Sequence, residues 1–233
     1  MEEIIRRQIR YNYAIAKEGI ENNWGANVGS TLLKYAHTDD IGARAKAMAV
    51  AGSDARMSGC EMPVIINSGS GNQGITVSVP VIEFAKALGK TDEELIRALV
   101  VSNLVGVHQK AGIGRLSAYC GAVSAGSAAG AGIAFLQGGD ERQICHVIVN
   151  CLAITSGIVC DGAKPSCAAK IAASLDAAML AYHMALEEQQ FRDGEGIVKK
   201  GVENTIRNVA TLGRDGMKET DKEILRIMVG DCR

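Results

Sequence analysis

From Leu116 to Gln137 the chain carries no charged side chain, and Ala, Gly and Ser make up most of the run. An uncharged stretch of that length must either cross a membrane or be enclosed by protein. Its small side chains make it only weakly hydrophobic, and Tyr119 and Cys120 lie inside it. The expectation is therefore a helix enclosed by other helices. The whole chain follows the same chemistry: 47% of its 233 residues are hydrophobic, yet only 4% are aromatic, and 27 are glycine. A core of Ala, Val, Ile and Leu lets backbones approach closely. Prolines stand only at 63, 80 and 165, which leaves long stretches free to be helical. The reading is an all-α fold, a single compact helical domain over 1–233 with Gly-rich loops between helices.

The elements follow from periodicity and caps. Residues 2–24 read as a helix with Ile5 and Ile9 one turn apart, broken by Gly25 to Gly29. Short helices are expected near 30–36 and 40–52, then a polar turn from Ser53 to Gly59. Pro63 to Asn67 reads as extended and runs into an interhelical loop, Ser68 to Gly74. Pro80 is expected to restart a helix as far as Leu88. Thr91-Asp92-Glu93-Glu94 is a capping box for a helix over 92–108. Helices are expected over 114–136, 142–159 and 165–187, then 197–210, with Thr220 and Glu223 capping a last one.

Charge excludes some functions. The 25 basic and 26 acidic residues are well mixed, so no basic stripe points to nucleic acid and no charged tail to a membrane surface. The start of the chain reads as a charged amphipathic segment rather than a secretory leader. Seven cysteines, an odd number, fit metal or redox chemistry in a reducing cytoplasm better than a disulfide framework.

Three of those cysteines are the candidates for chemistry. Cys120 closes Gly114-Arg115-Leu116-Ser117-Ala118-Tyr119-Cys120, and Cys160 and Cys167 bound Cys160-Asp161-Gly162-Ala163-Lys164-Pro165-Ser166-Cys167. Three thiolates without an obvious fourth describe an incompletely ligated iron–sulfur cluster, and the spacing is that of neither a ferredoxin nor a zinc site. Cys167 stands near a helix start, where the dipole and Lys164 favour a thiolate. The competing reading is three small buried hydrophobes. Cys145 and Cys151 read as core, Cys60 as undecided, and Cys232 as either a frayed thiol or a fourth ligand. Around the cysteines, Asn67, Ser68, Gly69, Ser70, Gly71, Asn72 and Gln73 form a Gly-rich segment able to turn amides toward a carboxylate, or a plain turn. Lys110 and Arg115 are either partners for a substrate carboxylate or solvated loop charges. Asp54 and Arg56 either pair together, position a substrate or are solvated. His37 and His108 read first as hydrogen-bonded structural histidines and second as proton carriers, while His146 and His183 receive no role.

Those three motifs, in that order, resemble the L-cysteine desulfidase family, which is related to the alpha domain of iron–sulfur L-serine dehydratases. The resemblance spans nearly the whole chain. It implies a cytoplasmic lyase that converts L-cysteine to pyruvate, ammonia and sulfide by metal-assisted β-elimination. It also implies an oxygen-sensitive [4Fe–4S] cluster held by Cys120, Cys160 and Cys167, readily lost in aerobic preparation. In some related serine enzymes a carboxyl-terminal cysteine blocks the open iron, which keeps Cys232 in view as a fourth ligand. Family members carry a further amino-terminal region that nothing here matches, so the chain is expected to be a fragment or one subunit, with the base elsewhere. Catalytic candidates within it are Lys110, Arg115, His108 and Lys164. L-Serine as substrate and a non-catalytic helical assembly module are the alternatives, and the small-residue helices would also suit packing between identical subunits.

Overall fold

The computed structural model describes residues 2–37, 39–114 and 116–230. The helix built from the uncharged run, α6 (Gly121–Leu136), is the axis of the fold, with every residue from Val123 to Ala134 buried. It packs against α4 (Gly71–Ala87), α5 (Asp92–Ile113), α7 (Glu141–Thr155) and α8 (Cys167–Leu186). Small residues allow that enclosure. A methyl group added at Gly126 would lie 2.8 Å from Ser174 Cβ and from the Ser174 carbonyl oxygen, so α6 and α8 meet almost backbone to backbone.

The remaining helices extend this centre. α1 (Glu2–Glu21) lies on α3 (Ile41–Met57) and α4, with α2 (Val28–Tyr35) packed on α3. α9 (Val202–Thr211) packs on α5 and α7, and a π-helical turn (Leu212–Gly216) leads to the exposed α10 (Lys218–Val229). Among the described residues no β-strand forms beyond two isolated bridges, and no helix is long and apolar enough to cross a membrane. The all-α expectation holds.

Several boundaries differ from the sequence reading, each for a physical reason. Ser53 to Met57 continue α3 instead of turning: Ser53 and Asp54 are buried, and the Asp54 carboxylate accepts a 2.8 Å hydrogen bond from the Gly29 amide. Gly71 to Gly74 are the first turn of α4, because Ser70 caps the helix by accepting from the Gln73 amide. Pro80 therefore lies inside α4, where burial from Gln73 to Ala85 outweighs one missing amide. α6 starts at Gly121 rather than 114, and α7 ends at Thr155 rather than 159. Thr220 lies within α10, whose N-cap position is Met217. The capping box at Thr91 and Glu94 forms as expected, with both reciprocal hydrogen bonds.

The close approach of α6 and α8 carries a stability prediction. Gly126→Ala is expected to lower the free energy of unfolding by about 1–3 kcal/mol, read from urea midpoints, because the methyl group has no space. An unchanged midpoint would mean that the two backbones are not in contact.

Candidate functional site

The three cysteines that sequence reasoning singled out line one cavity of about 320 Å³. Each arrives by a different local structure. Tyr119 and Val159 form an antiparallel bridge in which the Cys120 amide donates to the Ile158 carbonyl (3.1 Å) and the Cys160 amide to the Ala118 carbonyl (2.6 Å). Side chains alternate across such a pairing, so Cys120 and Cys160, each one residue from the bridge centre, project from the same face. Tyr119 projects from the other and is buried against Gly213. Cys167 is the first residue of α8, and its thiol approaches the Gly162 carbonyl oxygen at 3.5 Å.

Three helices begin at this cavity. Cys120 is the N-cap residue of α6, Cys167 opens α8, and Ser70, Asn72 and Gln73 bring the first turn of α4. Each helix start brings the positive end of its dipole, which favours negative charge in the cavity. The first two amides of α8 (Cys167 and Ala168) already donate to the Lys164 and Pro165 carbonyls. The Gln73 side chain of α4 lies over the start of α6, where a methyl group at Gly121 would meet Gln73 Nε2 at 2.5 Å.

Two cations complete the lining. Lys110 is only 8% exposed and forms no ion pair among the described residues. Burial lowers its pKa, an effect opposed by the nearby Cys160 and Cys120. Arg56 donates to Asn72 Oδ1 (3.2 Å) at the start of α4 and does not pair with Asp54, which is buried against α2. The described lining includes no histidine, aspartate or glutamate.

The other candidates sort as follows. Ser68, Gly69, Ser70, Asn72 and Gln73 line the cavity; Asn67 and Gly71 do not. Asn67 instead donates to Asn103 Oδ1 (3.0 Å) and Gly71 packs on Arg56, so both brace the segment. His108 lies outside the cavity, its Nε2 2.8 Å from Glu203, and Lys164 does not line it either. The charge of Lys164 helps to lower the Asp161 pKa, after the larger effect of Lys170. Cys151 is buried core and Cys145 is half-buried. Arg115 and Cys232 fall outside the described residues.

Sequence reading overlooked the supports. Lys170, one turn after Cys167, reaches back to Asp161 and to the Val159 carbonyl oxygen (3.0 Å), pinning the Cys160 segment to α8. The three-residue spacing on a helix was the available signal. Gln8 and Asn12 on α1 hold the opposite wall: Gln8 and Asn103 exchange two hydrogen bonds (2.9 and 2.8 Å), and Asn12 exchanges two with the Ile65 backbone (3.0 and 2.8 Å). These contacts span more than fifty residues, so no local pattern announces them.

Three thiols with no histidine or carboxylate beside them in the described lining are the donor type of an iron–sulfur cluster, in which each thiolate takes its own iron. Among the described residues no three His, Cys, Asp or Glu side chains are grouped tightly enough to hold one metal ion.

Burial outweighs the hydrogen bond from the Ala122 amide at one of these thiols, pushing the Cys120 pKa up to about 11. In metal-free protein, carboxymethylation of Cys120 is expected to rise about tenfold per pH unit from pH 7 to 9.5 without a plateau, because the reactive thiolate fraction grows throughout. Peptide mass spectrometry reads this, and a plateau near pH 8 would contradict the burial argument.

Residues 1–226 match the family described as serine dehydratase alpha chain. A UPF0597 protein of Desulfitobacterium hafniense is 63% identical over 232 residues, covering 100% of this chain and 54% of the relative. One from Lachnoclostridium phytofermentans is 61% identical over 226 residues, covering 97% and 54%. One from Bacteroides thetaiotaomicron is 42% identical over 229 residues, covering 96% and 53%. The chain thus spans about half the length of these curated relatives. No solved structure matches it. The match across nearly the whole sequence makes the chain a member of the serine dehydratase alpha chain family.

Proposed function

We propose that Cys120, Cys160 and Cys167 hold a [4Fe–4S] cluster and that the chain forms the cluster- and substrate-binding part of a lyase. The reaction is β-elimination from L-cysteine, yielding sulfide, pyruvate and ammonia. The observation that carries this reading is the convergence of three thiols and three helix starts on one cavity beside a buried, unpaired lysine. When bound, a cluster with one iron free of protein ligands supplies a Lewis acid that makes the β-substituent a better leaving group.

The chain's own residues account for binding and orientation. Lys110 Nζ holds the substrate carboxylate, a charge-assisted contact from a buried ammonium group. The α4 start, with Ser70, Asn72 and Gln73, provides amides and side-chain donors for the same carboxylate. Arg56 keeps Asn72 in place. Leu116, 91% exposed beside the cavity, is an apolar cover at its mouth. The described lining supplies no histidine or carboxylate to accept the α-proton. That base is assigned to sequence the relatives carry beyond the matched half, on the same polypeptide or a partner subunit. Elimination leaves an enamine, and its hydrolysis gives pyruvate and ammonia.

L-Serine is the second reading, favoured by the family to which the chain belongs. Pyruvate release from the two amino acids separates them: faster turnover of cysteine supports the desulfidase, faster turnover of serine the dehydratase.

Two predictions test the assignment. After anaerobic reconstitution, Cys120→Ala, Cys160→Ala and Cys167→Ala should each lose the brown absorbance and the bound iron and sulfide; full retention in all three refutes the ligand set. Lys110→Met should raise KM about tenfold or more, whereas Lys110→Arg should restore most of the affinity. Failure of arginine to restore turnover despite normal substrate affinity would make Lys110 a proton acceptor instead.

A further inference from the structure

A second cavity, of about 420 Å³, opens between α7, the 187–201 connection and the start of α9, and none of its lining residues is shared with the cysteine site. Its lining divides by chemistry. Val149, Phe191, Val198 and Val202 provide apolar surface, and Arg142, Arg192, Lys199 and Lys200 add four cations. The lining contains one carboxylate, Asp193, which approaches Lys199 no closer than 3.9 Å. Acidic and basic residues nearly balance over the whole chain, so this excess of positive charge is local.

Of the acidic residues nearby, Glu203 pairs with His108 at 2.8 Å, while Asp140 and Glu188 border an adjoining cavity of about 210 Å³ that shares Arg142 and His146 with this one. Two further features point inward. His146 lines this cavity and the adjoining one, is only 9% exposed, and its ring makes no hydrogen bond among the described residues. Gly201, also in the lining, starts α9 without a side-chain cap, leaving the first amides of that helix without partners from a capping side chain. An apolar surface beneath four cations, a helix start and a buried unpartnered imidazole is a built site, and its volume lies within the range of ligand pockets.

We propose that this cavity binds a small organic anion with an apolar body. The acid group meets Arg142, Arg192, Lys199 and Lys200 near the amides of Gly201 and Val202, and the body lies against Val149, Phe191 and Val198. A guanidinium pair suits carboxylate and phosphate heads alike, and the apolar surface separates such ligands from inorganic anions. The assignment is independent of the reaction proposed for the cysteine site.

Calorimetric titration of the whole metal-free chain at low salt tests it, with hexanoate as probe and hexanol and inorganic phosphate as the two halves of its chemistry. Hexanoate should bind saturably at one site, and hexanol and phosphate at least tenfold more weakly. Arg142→Ala with Arg192→Ala should weaken hexanoate at least tenfold without lowering the melting temperature. Should that pair of changes unfold the chain, the exposed Lys200→Gln is read in its place, with a smaller loss in the same direction. Lys110→Met should leave hexanoate binding unchanged. The proposal fails if hexanoate does not saturate, if hexanol or phosphate binds equally well, or if Lys110→Met abolishes binding while the arginine changes do not.

Discussion

The arrangement depends on the closeness with which α6 can be enclosed. A central helix of Ala, Gly and Ser lets α4, α5, α7 and α8 approach its axis, and at Gly126 the neighbouring helix comes within van der Waals contact of the backbone. Bulky side chains would hold these helices apart. With them close, the starts of α4, α6 and α8 reach the same end of the bundle and face one cavity. Helix starts all carry the same sign of charge, so gathering three of them is unfavourable unless something negative sits between them. Thiolates, and beyond them a substrate carboxylate, are that negative charge in the proposed function.

The cavity wall is held by contacts between distant parts of the chain. α1 contributes Gln8 and Asn12, which tie Asn103 and the Ile65 backbone beside the Asn67–Ser70 turn. α8 contributes Lys170, which fixes the Cys160 segment from the opposite side. The π-helical turn adds a third brace, since Ser117 Oγ donates to the Gly213 carbonyl and Gly213 packs on Tyr119 next to Cys120. Every wall carrying a cysteine is thus pinned by a residue with no chemistry of its own in the proposed reaction. Such supporting contacts hold a first layer of ligands in place.

The sequence made some of this legible. The enclosed helix was readable because an uncharged run of small residues has few other stable fates, and Thr91 with Glu94 because a capping box is local. The three cysteines were readable from composition and spacing, and all three line one cavity. Other features depended on partners far along the chain. Ser53 and Asp54 look like turn residues until the Gly29 amide is seen beside them. Gly71 to Gly74 look like a loop because glycine disfavours helices, yet Ser70 caps them and burial holds them helical. For His108 the sequence left a proton carrier and a hydrogen-bonded structural histidine both open, because Glu203, its partner in the structure, lies ninety-five residues away.

The central claim is that Cys120, Cys160 and Cys167 meet at one cluster and leave one of its irons without a protein ligand. Mössbauer spectroscopy of the chain reconstituted with iron-57 addresses it directly. The account predicts a cubane with one iron site distinguishable from the other three, and a shift confined to that site when L-cysteine is added. A spectrum with four indistinguishable irons, or with no cubane signal after anaerobic reconstitution, would contradict it.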